Sequence, residues 1–153
     1  MALDDRISHI PFIQTGAAII IRNEEGQILL QERTDRNKWG LPGGCQDLGE
    51  DLRPTAVREA YEETGIILNP NDIKLIDTLS GENRKNSYPN GDIVYNNTSL
   101  YVADVNIQDA KDLKGDSETK KLQFFYPEEV PENLMDADLI KTYLNFIGKK
   151  QKL

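Results

Sequence analysis

Residues 16–22 (GAAIIIR) and 27–32 (QILLQE) are short apolar runs flanking Asn23-Glu24-Glu25-Gly26, a polar tetrapeptide whose glycine suits a positive φ. The pattern predicts a β-hairpin. Residues 34–49 carry Gly40, Pro42, Gly43, Gly44 and Gly49, together with the only tryptophan, Trp39. They read as a loop too punctuated for regular structure. Residues 51–64 predict a helix: Asp51 suits the N-cap, Pro54 falls in the first turn, and Gly65 is a stop. Apolar runs at 73–79, 93–105 and 120–126 predict further strands, and Tyr88-Pro89-Asn90-Gly91-Asp92 has the chemistry of a turn. A last helix starts near Asp136, with Leu139, Ile140, Tyr143, Leu144 and Ile147 at helical spacing. Strands, helix, strands, helix is the order of an α+β fold in which helices cover a mixed sheet.

Composition narrows the class. The 153 residues suffice for one domain, 1–153, with 1–14 as an N-terminal extension. Hydrophobic content of 38% and charged content of 29% suit a globular chain. The longest apolar run, 17–21, is far short of the roughly 20 residues that cross a bilayer. Residues 1–9 lack a basic region followed by an apolar core, so no secretory signal is visible. A single cysteine, Cys45, cannot form an internal disulfide, which fits a reducing cytoplasm. The net charge of −8 argues against nucleic-acid binding. An acidic protein that handles phosphates needs bound cations to reverse the local sign.

Residues 57–64 offer a place for them. At 100° per residue, Glu59, Glu62 and Glu63 share one helix face, while Val57, Ala60, Tyr61 and Thr64 lie on the other, to pack on a sheet. Like charges at this spacing cost a helix roughly 0.2–0.5 kcal/mol per pair, and Mg²⁺ or Mn²⁺ would offset that. A row of glutamates is more often a solvated face. Here Arg58 stands four residues before Glu62, a glycine-rich loop precedes the helix, and Glu50 closes that loop.

Residues 44–66 resemble the Nudix box, G-x5-E-x7-R-E-U-x-E-E-x-G-U with U apolar. Gly44, Glu50, Arg58, Glu59, Ala60, Glu62, Glu63, Gly65 and Ile66 fill its places in register, although Ala60 is small for an apolar position. The resemblance implies a Nudix-type α/β/α sandwich and hydrolysis of a diphosphate linkage in a nucleoside diphosphate-X or nucleoside triphosphate, by attack of a metal-activated water. It implies metal ligation by Glu59, Glu62 and Glu63 with the Gly43 carbonyl, Arg58 orienting Glu59 or Glu62, and Glu50 in support. The general base would be a helix glutamate or a later acid; Glu118 is the candidate, then Asp116. Arg33, Arg36 and Tyr88 are candidate substrate contacts, with Tyr88 packed in the core as the alternative. Trp39 reads as an anchor, Cys45 as a filler and His9 as incidental. The expected partner is a small nucleotide, with no nucleic acid and no membrane; a homodimer is left open. Two other activities compete: an RNA 5′-end pyrophosphohydrolase, disfavoured by the acidity, and a nucleotide sensor, which would be expected to lack box carboxylates.

Overall fold

The computed structural model describes residues 10–151. Most of the stretch set apart as an extension, and His9 with it, lies outside them. At the centre is β1, Phe12–Arg22, which pairs in parallel with β7, Ile93–Asp104, at every position from Phe12↔Val94 to Arg22↔Asp104. Ile19, Ile20 and Ile21 are all fully buried. A strand covered on both faces reads as a continuous apolar run rather than an alternating one.

Side-chain alternation along β1 builds two cores. Ala17, Ile19 and Ile21 pack with Ala56 and Ala60 of α1, Leu52–Thr64. Ala18 and Ile20 pack with Leu139, Ile140 and Tyr143 of α2, Ala137–Gln151. The result is the α/β/α arrangement around a mixed sheet. Its path runs from β3, Lys38–Gly40, through β2, Ile28–Arg33, then β1 and β7, to β5, Lys74–Leu79. Off this path, β4, Gly43–Cys45, pairs with β1; β6, Lys85–Ser87, with β7; and β8, Thr119–Phe125, with β2. No described helix is long and apolar enough to cross a membrane.

Three expectations change. The turn at 23–26 forms, closed by Asn23 N–H to Gln27 O at 3.0 Å with Gly26 at φ 80°. Yet β1 and β2 pair only at Arg22↔Ile28: β4 takes Gly16, Ala17 and Ala18 on that edge of β1, and β3 takes Gln31, Glu32 and Arg33 of β2. The segment read as a loop therefore holds two short strands. Its glycines mislead because Gly43 and Gly44 serve close approach, not positive φ. A Cβ on Gly43 would lie 2.5 Å from the Ala17 carbonyl oxygen. Finally, Tyr61 is 57% exposed instead of packing on the sheet. The inward stripe of α1 is Thr55, Ala56, Ala60, Glu63 and Thr64, so one of the three glutamates turns toward the sheet.

Gly43→Ala should destabilise the protein by about 1–3 kcal/mol, since backbone is what the new methyl meets. Urea unfolding measures it; an unchanged midpoint would contradict the packing role.

Candidate functional site

Asp51 is extended at the N-cap of α1 but makes no side-chain capping bond. The Thr55 hydroxyl donates to Glu50 Oε1 at 2.7 Å instead, tying the preceding loop to the helix. At the other end Gly65, at φ 80°, donates to the Tyr61 carbonyl and closes the helix. Between them, Arg58 gathers the acids. Its Nε and Nη2 donate to Glu50 at 2.8 and 3.0 Å, and Nη2 also donates to the Cys45 carbonyl at 3.0 Å. Nη1 donates to Glu59 at 2.9 Å and to Glu62 at 3.3 Å. These charge-assisted bonds, with that from Thr55, hold the Glu50 carboxyl down at about 2.

Glu63 lies deeper, only 4% exposed. It accepts from the Gly43 amide at 2.8 Å, and Arg33 Nη1 stands 3.6 Å away. Burial outweighs both and pushes its pKa up to about 8. Burial also raises Glu59, against the pull of Arg58. Gly44 lets Glu59 come close: a Cβ there would lie 2.5 Å from Glu59 Oε1. Carboxylate oxygens of this kind are hard donors, the type that could hold Mg²⁺ or Mn²⁺. Among the described residues no three acidic, histidine or cysteine side chains stand in a coordinating array. Arg58 draws Glu59 and Glu62 aside, and the Gly43 amide holds Glu63.

A cavity of about 880 Å³ opens beside the box, with Gly43 and Gly44 in its wall. Arg33, Arg36 and Tyr88, singled out from the sequence, all line it. Arg33 also joins the cavity to the carboxylates: it pairs with Asp35 at 3.1 Å, with Glu118 at 2.5 Å, and approaches Glu63. The Glu118 turn is docked there by Thr34 N–H to Glu118 O at 2.9 Å, and Asp116 Oδ1 accepts the Glu118 amide. Residues not singled out from the sequence include Lys38, Asn83, Arg84 and Asn86. Arg84 donates to Asp138 and to the Thr98 hydroxyl, both at 2.8 Å, a juxtaposition across 54 and 14 positions that no local pattern reveals. Trp39 is an anchor, buried edge-on against Phe125 with ring centroids 5.0 Å apart. Cys45, expected to fill space, is exposed.

The sequence model of the NUDIX domain matches residues 13–146. The chain belongs to the Nudix family. Among curated Nudix relatives, "Putative 8-oxo-dGTP diphosphatase" of Bacillus subtilis is 54% identical over 50 residues, which are 33% of this chain and 34% of that protein. The matched stretch thus spans about a third of that relative's length. A MutT-like protein of Streptomyces ambofaciens is 27% identical over 135 residues, 86% of this chain and 75% of the relative. The crystal structure of a MutT protein from Methanosarcina mazei superposes with TM-score 0.69 at 23% identity, over 90% of this chain and 95% of that one. That likeness bears on the fold alone.

Glu63 titrates near 8 in the folded Nudix domain against 4.5 ordinarily, so between those values the folded state keeps a proton that the unfolded chain has lost. Stability of the metal-free protein should therefore fall as pH rises from 4.5 to 8 and level off above. Urea midpoints in EDTA across that window measure the slope, and Glu63→Gln should flatten it. An identical slope in the variant would take Glu63 out of this role.

Proposed function

We propose that this chain is a divalent-cation-dependent pyrophosphohydrolase that cuts the diphosphate linkage of a small nucleotide. One observation carries the reading: the box glutamates sit behind Gly43 and Gly44, which wall a cavity lined by Arg33, Arg36 and Lys38. Glu59, Glu62 and Glu63 with the Gly43 carbonyl would hold the cation. When bound, it would polarise a phosphoryl oxygen and lower the pKa of water. The chain's own residues do the rest. Arg58 orients Glu59 and Glu62. Arg36 and Lys38 neutralise phosphate oxygens, and Arg33 holds Glu118 as the proton acceptor beside the carboxylates. In the reaction the water oxygen bonds to one phosphorus, the bridging P–O bond breaks, and the bridging oxygen leaves with the other phosphate. The single cysteine suits action in a reducing cytoplasm.

Glu62 is about half exposed, its side chain at 52%, so Glu62→Gln should fold normally. Hydrolysis of nucleoside diphosphate derivatives in Mg²⁺ should drop by orders of magnitude, because a charged oxygen ligand becomes neutral. Released monophosphate reports the rate, and near wild-type turnover would refute the assignment of Glu62.

A further inference from the structure

Gln31 follows Ile28, Leu29 and Leu30 into the sheet and, though polar, is only 2% exposed. There β2 is paired on both edges, with Gly40 of β3 and with Leu122 of β8, so the backbone that carries this side chain is fixed. Alternation sends Gln31 to the face of Leu29, the side covered by α1, where Glu63 turns inward. A buried primary amide has two donors and an acceptor to satisfy, and leaving them unpaired is costly.

The two ends of the amide meet different partners. Its nitrogen donates to the Glu63 carboxyl. Its oxygen accepts from the Thr119 hydroxyl at 3.2 Å. The same hydroxyl lies 2.9 Å from Asp116 Oδ1, which also accepts the Glu118 amide at 3.0 Å. A Cβ on Gly115 would stand 2.3 Å from the Thr119 side chain, so the turn is closely wound at that residue. A run of hydrogen bonds thus leads from Glu63 through Gln31 and Thr119 to the turn that bears Glu118. Arg33 makes a separate link, pairing with the side chains of Glu63 and Glu118. The two differ in what they hold: Arg33 grips the Glu118 carboxylate, whereas Gln31 grips the turn beneath it.

Resting on the hydrolase reading above, we propose that Gln31 is a positioning residue, whose one buried amide sets the cation ligand Glu63 and the proton acceptor Glu118 relative to each other. An uncharged group that donates at one end and accepts at the other suits that place. A carboxyl would set a second acid against Glu63, and an alkyl chain would hold neither partner. Side chains that orient a metal ligand in this way commonly govern affinity or rate tenfold or more.

The test compares Gln31→Leu and Thr119→Val with wild type. It measures Mn²⁺ affinity of the nucleotide-free protein by calorimetry, and kcat and KM for ADP-ribose and dGTP at saturating Mn²⁺. Gln31→Leu should weaken Mn²⁺ binding about tenfold and lower kcat about tenfold, with KM little changed. Thr119→Val keeps the shape and removes the hydroxyl. It should leave Mn²⁺ binding unchanged and lower kcat about fivefold, the worth of one hydrogen bond. Circular dichroism establishes folding, and if Gln31→Leu does not fold, the kcat of Thr119→Val decides alone. A Gln31→Leu protein that melts lower yet keeps wild-type Mn²⁺ affinity and kcat has lost only packing and overturns the inference, as does Thr119→Val at wild-type kcat. If wild type cuts neither nucleotide, the hydrolase reading fails, and amide resonances of residues 116–119 in the metal-free protein decide the coupling. They should shift on Glu63→Gln in the wild-type background and stay in place on the same change in Gln31→Leu. Equal shifts in both backgrounds overturn it.

Discussion

Arg58 meets Glu50, Glu59, Glu62 and the Cys45 carbonyl from one planar head, and the arrangement of the box depends on that fork. Without it, Glu59 and Glu62 would repel each other on one helix face while Glu50 had no cation to close the loop. A lysine, with a single compact ammonium, cannot span a loop carboxylate, a loop carbonyl and two helix carboxylates at once. The fork therefore does more than neutralise. It ties the loop that ends at Glu50 to the middle of α1.

The box is placed by β1. Its full-length parallel pairing with β7 leaves the other edge for β4, and β4 can lie there only because Gly16 and Gly43 bring two backbones closer than any Cβ permits. The same closeness carries the Gly43 amide to Glu63 and leaves room at Gly44 for Glu59. Packing and chemistry thus share three glycines. The depth of Glu63 follows directly: the stripe of α1 that seats the helix on the sheet includes it, and burial sets its high pKa.

Local signals made the elements legible. Gly65 ended α1, Gly26 turned β1 toward β2, and the periodicity of Leu139, Ile140 and Tyr143 marked the buried side of α2. What local signals could not carry was pairing. The link from β1 to β7 spans about 80 residues, so the sequence pattern points to a hairpin between neighbours, whereas the long-range partner takes the strand. Glycines were ambiguous for a related reason: a residue without a side chain looks alike whether it serves a turn or a close contact. The box glutamates stood out because their spacing is periodic within one helix. Arg84 and Lys38 did not, because the cavity they line is assembled from strand ends and loops distant in sequence.

A net charge of −8 repels an anionic ligand at long range in the absence of salt. Charges act over a limited range, however, since at physiological salt the Debye length is about 8 Å. Beyond that distance the acidic surface is largely screened, and the nearest side chains govern what a phosphate meets. Behind the Gly43–Gly44 wall those are Glu59 and Glu63, and in the cavity on its other side Arg33, Arg36 and Lys38, contributed by β2, β3 and the turn joining them. A compact ligand meets only these near side chains, whereas a longer one also meets charges beyond them. For a phosphate ligand of the proposed kind, size therefore matters as much as net charge.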